Sequence, residues 1–220
     1  MRGLIARQFG RPSGLLGLLV GRMMARSNAD FSRWTVGQLR EQAAGAVSIV
    51  ELGPGPGIGL EELLRAFPEA KIWGVDLSTA MLAESRRRNS SAVKGGRLSL
   101  IEGGVAAIAE LAPADVVAAN HVLYFWRDPA HELKLIGQSL RPGGLLALGY
   151  QLRHDMPPVA QRQFPRQGFR LYDTEDEVNS LLRSAGFTRI VQSVMGSSER
   201  PGGRLALAAT DAASAPGGGS

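Results

Sequence analysis

Cysteine is absent from the 220 residues, so neither a disulfide framework nor a thiolate metal site can be built. Histidine is nearly absent too, and three scattered residues, His121, His131 and His154, form no metal-ligand spacing. No metal is expected. Lysine is scarce beside arginine, and the net charge is +5. A basic surface of that size can attract nucleic acid or an anionic membrane, and it is also what plain arginine-rich usage produces. No apolar run approaches the roughly 18 residues that a membrane span needs. What the chain has is 44% hydrophobic content, enough for one sizeable core, and 28 glycines.

The glycines concentrate where the sequence is most patterned. Val47, Ile49 and Val50 read as a buried strand, and Glu51 stands at its end. Gly53, Gly55, Gly57 and Gly59 then alternate with Pro54, Pro56 and Ile58, and a helix follows with Glu61 and Glu62 in its first turn. Strand, glycine loop and helix make a nucleotide-binding unit, since glycine lets a ligand lie against the main chain. The same glycines also suit a plain tight turn. A dinucleotide fold wants G-x-G-x-x-G, but counting from Gly53 the sixth residue is Ile58, and from Gly55 it is Leu60. No Gly-Lys-Ser/Thr follows, and Pro54 and Pro56 remove two N–H donors. The loop therefore suits a ligand needing close approach and a carboxylate but no phosphate, and S-adenosylmethionine (SAM) is such a ligand.

The segment after the loop continues the pattern. Lys71 to Val75 reads as a second strand ending in Asp76, about 20 residues past the glycines, where such folds place an acid on ribose hydroxyls. Ser78 is the expected N-cap of a helix carrying Met81, Leu82 and Ser85. Arg97 to Ile101 is a third strand, and Ala114 to Ala119 a fourth, followed by Asn120-His121-Val122-Leu123-Tyr124-Phe125-Trp126. Pro129 opens a helix with an apolar face (Leu133, Ile136, Leu140), and Pro142-Gly143-Gly144 is expected to end it and turn into a fifth strand. Gln151 to Tyr172 reads as an irregular, arginine-rich insert, a hint of an anionic or lipid-like acceptor. Thr174-Glu175-Asp176-Glu177 reads as a capping box. Phe187 to Met195 and Arg204 to Ala209 read as a closing hairpin.

Glu51-x-Gly53-x-Gly55-x-Gly57, Asp76, the Asn120 segment and Leu140-x-Pro142-Gly143-Gly144, in that order, resemble the motifs of class I SAM-dependent methyltransferases. The likeness spans roughly Val47 to Tyr150, and lies nearest the type that includes ubiquinone and menaquinone C-methyltransferases. The resemblance implies an α/β, doubly wound, Rossmann-like seven-stranded sheet of order 3-2-1-4-5-7-6, with strand 7 antiparallel and helices on both faces. It implies a cofactor site of Glu51, Gly53, Gly55, Gly57, Asp76, Leu77, Met81, Gly104, Val105 and Asn120. Gly104 stands where the family commonly carries an aspartate for the adenine amino group, so only backbone groups of Gly104 and Val105 are expected there. His121 and Tyr124 are the candidate catalytic residues, with His154 a further base candidate and His131 a surface residue.

The expected domains are a helical N-terminal cap over residues 1–44, a methyltransferase domain over 45–210 and a disordered tail over 211–220. The apolar run near Leu15 to Val20 reads as an amphipathic helix that covers the cleft or touches a membrane surface. The expected enzyme is cytoplasmic and acts on a small-molecule acceptor. The rival readings are a SAM-binding protein without turnover, a dehydrogenase, which the glycine spacing disfavours, and a nucleic-acid methyltransferase. The last lacks its Asn/Asp-Pro-Pro-Tyr/Phe signature at Asn120-His121-Val122-Leu123, and no nucleic-acid partner is expected.

Overall fold

The computed structural model describes residues 29–111, 113–197 and 200–211. The amphipathic run near Leu15, and the tail beyond Asp211, lie outside the described residues.

Alternating apolar residues build the sheet. β1 (Ser48–Leu52), β2 (Lys71–Asp76), β3 (Leu98–Glu102), β4 (Ala114–Asn120) and β5 (Leu140–Tyr150) run parallel, and β6 (Arg189–Ser197) with β7 (Arg200–Ala209) closes the sheet as an antiparallel hairpin. The order is β3-β2-β1-β4-β5-β7-β6, as the motif resemblance implies. Successive side chains on a strand point to opposite faces. Val50, Val117, Leu146 and Ala206 enter one buried layer, with Leu133, Ile136, Val178 and Leu182 of the covering helices. Ile49, Val116, Ala147 and Leu205 enter the other, with Val36, Leu39, Leu60 and Leu63. Each fully buried leucine or isoleucine contributes on the order of 2 kcal/mol, so the doubly covered central strands hold the sheet together.

The second layer is made by α1 (Ala29–Gln42) and α2 (Ile58–Ala66), which pack on each other. α3 (Thr79–Arg88) and the short α4 (Ser90–Lys94) link β2 to β3. Ser78 caps α3, its hydroxyl accepting from Met81 N at 3.3 Å. Asp128 caps α5 (Pro129–Ser139) through His131 N at 3.1 Å, with Pro129 in the first turn. Thr174 caps α7 (Glu175–Ser184) through Glu177 N at 3.2 Å, while Glu177 reaches back to Asp173 N, one residue beyond the usual capping-box partner.

Two sequence expectations need correction. The Pro142-Gly143-Gly144 segment is not a turn between helix and strand. Leu140 already pairs with Ala114, and pairing resumes at Leu145 with Val116, so Arg141 to Gly144 bulge out opposite the single residue Asp115. Gly143 takes a φ of +78° in this bulge. The insert between Gln151 and Tyr172 is not irregular throughout either. It contains α6 (Pro158–Arg166), whose Phe164 packs with Tyr124, Phe125 and Phe169. The expectation missed it because Pro157, Pro158 and Pro165 read as breakers. Pro158 sits in the first turn, where its missing N–H costs nothing.

Candidate active site

In a sheet of this winding, ligands bind outside the carboxyl ends of the parallel strands. Side-chain alternation decides what stands there on the face covered by α1 and α2. Two residues on from Ile49 is Glu51, and two on from Gly74 is Asp76. Two on from Ala118 is Asn120, and two on from Ala147 is Gly149. On β7 the residue two before Leu205 is Gly203. The apolar layer thus ends in a row of two acids, one amide and two glycines.

The glycine loop closes on itself. Gly53 N donates to Val75 O at 2.8 Å, Gly55 N to Asp76 Oδ2 at 3.0 Å and Gly57 N to Pro54 O at 3.0 Å. With Pro54 and Pro56 carrying no N–H, the loop from Gly53 to Gly57 has no free donor for a phosphate. Gly53, Gly55 and Gly57 have φ of +65°, +54° and +84°, a region that disfavours side chains. The loop is also held from behind. Arg88 Nε donates to Pro56 O at 3.1 Å, and Asn89 Nδ2 to Gly57 O at 3.0 Å. Neither residue carries a motif signal, because any long donor at the end of α3 would do.

Glu51 is 4% exposed, and its Oε2 has no hydrogen-bond partner. Gly59 makes room for it, since a Cβ there would lie 2.0 Å from Glu51 Oε1. Burial, with Asp76 nearby, pushes the Glu51 carboxyl up to about 8. Asp76 is raised by burial as well, against the opposing pull of backbone N–H bonds. Its Oδ1 accepts from Ser78 N at 2.9 Å and its Oδ2 from Gly55 N, with the Leu77 N–H a third backbone donor. Beside it Leu77 is 52% exposed, and its Cδ2 lies 3.8 Å from where a Gly104 Cβ would be. Gly104 is extended and precedes the 3-10 turn that begins at Val105, whose side chain is buried. Met81 is 2% exposed and its N–H donates to the Ser78 hydroxyl.

At the other half of the row, Asn120 Oδ1 is buried without a partner. His121 has a φ of +57° and donates its N–H to Gly149 O at 2.8 Å. Its ring lies 4.6 Å from that of Phe31, and burial lowers its pKa to about 4. His121 is therefore a neutral imidazole at pH 7 and a feeble proton acceptor. Tyr124 is 3% exposed. Its hydroxyl accepts from Gln151 N and donates to Gln151 O at 3.3 Å, and burial raises its pKa further. A phenol so bonded and so hard to ionise braces the β5 end. His154 is exposed beside Asp155 at 3.4 Å, and His131 is an exposed residue of the α5 cap. Phe31, which the sequence did not single out as a site residue, covers Asn120, His121 and Gly149.

This sheet, with a phosphate-refusing glycine loop and the acids Glu51 and Asp76 at its carboxyl ends, defines a Rossmann-like fold of the methyltransferase class. Residues 17–193 match the family model described as "Methyltransferase domain". The chain is 32% identical over 155 residues to the uncharacterized methyltransferase YdaC of Bacillus subtilis, covering 68% of this chain and 81% of that one. It is 38% identical over 109 residues to the trans-aconitate 2-methyltransferase of Methylobacterium nodulans, spanning half of this chain and 40% of that enzyme. Among solved structures, human N-acetylserotonin methyltransferase in complex with SAM superposes with a TM-score of 0.68 at 22% identity, over 90% of this chain and 55% of that one. DesVI of Streptomyces venezuelae superposes with a TM-score of 0.63 at 15% identity, over 86% and 94%. The chain belongs to the methyltransferase-domain family, and it is a class I SAM-dependent methyltransferase.

Proposed function

We propose that this enzyme methylates a small-molecule acceptor, with SAM held over β1 and β2 and the acceptor over β4 and β5. The observation that carries the reading is Glu51: a buried carboxyl with an orphaned oxygen, facing a loop without free donors. A cationic group relieves that arrangement, and a phosphate does not. SAM carries an ammonium and a sulfonium and no phosphate, so the residues present fit it. In this reading Glu51 serves the cationic amino-acid end, Asp76 the ribose hydroxyls, and Leu77, Gly104 and Val105 the adenine. Gly53, Gly55 and Gly57 give close approach, Met81 supports the floor, and Asn120 borders the reacting end. When bound, the cofactor supplies a methyl carbon whose bond to sulfur breaks as an acceptor lone pair bonds to it, leaving S-adenosylhomocysteine and a proton.

The chain's own part is positioning and water exclusion. A cation and a nucleophile partly cancel charge as they react, so holding them in line supplies much of the acceleration. A neutral His121 beside Asn120 fits a contact role better than that of a strong base. The acceptor's proton then passes to solvent, or the acceptor arrives ionised. The missing nucleic-acid signature after β4 supports a small acceptor. No helix among the described residues is long and apolar enough to cross a membrane. Membrane contact through the N-terminal run remains part of the proposal, to be read by vesicle co-sedimentation.

Calorimetry with SAM and with S-adenosylhomocysteine tests the assignment. Wild type is expected to bind both and Asp76→Ala neither at comparable concentration. Equal binding by the two proteins overturns the ribose role of Asp76.

A further inference from the structure

Phe31 is 3% exposed, yet it belongs to neither apolar layer of the sheet. It lies past both, over the polar ends of the strands. Two glycines on adjacent strands are shaped to it. A Cβ on Gly149 would lie 2.6 Å from Phe31 Cε1, and one on Gly203 would lie 2.5 Å from Phe31 Cε2. Glycine inside a strand often marks a close approach, and here the approaching group is an aromatic ring. The same point beside Gly149 is 2.2 Å from Asn120 Oδ1, so the ring edge and the orphaned amide oxygen share one place. The His121 ring closes the other side at 4.6 Å, tilted by 42°.

The charge at this place is also informative. Arg204 adjoins Gly203 in β7, but by strand alternation it points to the opposite face, where it is paired with Asp155 and with Glu175 at 2.8 Å. It supplies no countercharge to the Phe31 side. Burial keeps His121 neutral. Among the described residues, the ring meets the Trp34 ring, 5.6 Å away between centroids, the His121 imidazole and the amide of Asn120.

We propose that Phe31 is a specificity-determining residue whose ring, seated on Gly149 and Gly203, forms the size-setting wall of the acceptor pocket. The acceptor class that fits is planar and uncharged, with a hydroxyl or amine nucleophile directed at Asn120. The inference rests on the methyltransferase reading and deepens it by naming the acceptor class. It differs from what the name of the trans-aconitate relatives suggests for a tricarboxylate.

The test measures S-adenosylhomocysteine release from SAM with phenol, 2-naphthol and trans-aconitate as acceptors, for wild type, Phe31→Ala and Phe31→Leu, alongside SAM calorimetry. Wild type is expected to use phenol in preference to 2-naphthol. Phe31→Ala raises the 2-naphthol-to-phenol ratio of kcat/KM at least tenfold, Phe31→Leu raises it by less, and neither changes SAM affinity more than about twofold. A merely structural role lowers both rates together and leaves their ratio alone. An unchanged ratio overturns the inference, as does turnover of trans-aconitate alone or of no acceptor by a protein that binds SAM. Absence of SAM binding to wild type removes the methyltransferase reading itself, and this inference with it. If Phe31→Ala does not fold, the ratio measured with Phe31→Leu decides.

Discussion

The two ends of the sheet treat buried carboxylates in opposite ways. At the amino ends Asp115 is 5% exposed and fully engaged. Its Oδ2 accepts from Val47 N at 2.6 Å and Ser48 N at 3.0 Å, and its Oδ1 pairs with Arg141 Nε at 2.6 Å. At the carboxyl ends Glu51 is just as buried, but one oxygen has no partner and the nearest charge is another acid. A saturated acid holds a fold together, whereas an unsaturated one has a place for a ligand. Burying a polar group without a partner costs on the order of 1–3 kcal/mol, and at the site that cost falls on Glu51 and Asn120.

The contrast can be broken from either end. The largest expected effect is at the amino ends, where Asp115→Ala strands two backbone donors and the Arg141 guanidinium. Stability should fall by about 2–4 kcal/mol, which lowers Tm by roughly 5–15 °C in a chain of this size. Calorimetry should find SAM affinity within about twofold of wild type. Asp76→Ala should do the reverse. SAM affinity drops about a hundredfold or more, equivalent to about 2.7 kcal/mol, while the melting temperature moves less than for Asp115→Ala. If the two variants trade effects, the division between structural and functional ends is wrong.

Glu51→Gln sharpens the comparison through pH. The carboxyl ordinarily near 4.5 is held up to about 8 in the folded state. The folded protein therefore binds the extra proton, and the stability this supplies is present below about 4.5 and lost as pH rises through 8. Wild-type urea midpoints should fall over that window, and those of Glu51→Gln should fall less. SAM affinity should rise with pH towards 8 in wild type, because the cation favours the ionised acid. In Glu51→Gln it should be about tenfold weaker and flatter with pH. Matching pH profiles for the two proteins would remove Glu51 from the cation site. The smallest effect is expected for Tyr124→Phe, which loses the bonds to Gln151. Urea unfolding should show about 1 kcal/mol of destabilisation, and the pH profile of methyl transfer should keep its shape.

Much of the half proposed to hold the cofactor was readable in the sequence because its geometry is local. Glu51, the alternating glycines and Asp76 lie within one strand–loop–helix–strand unit, where spacing along the chain translates directly into geometry. The helix caps at Ser78 and Thr174 were readable for the same reason. The acceptor half was not. Phe31 meets Gly149 and Gly203 across more than a hundred residues of chain, and no short-range pattern encodes such a seat. Gly149 did carry a faint signal, as a glycine within an otherwise apolar strand. Tyr124 suits a base by type and position, and what the sequence does not show is that its hydroxyl bonds the Gln151 backbone. The Arg141–Asp115 pair was hidden because the Pro142-Gly143-Gly144 signal looks the same for a turn and for a bulge.

That bulge has a consequence for the whole molecule. Four residues of β5 are looped out against one of β4 near the strand's entrance, yet Asn120 and Gly149 meet in step at its exit. The loop works as slack. Residues added or removed there change how much chain is set aside, and the downstream pairing need not slip. Length variation can gather at this edge of the protein while the reacting edge keeps its alignment.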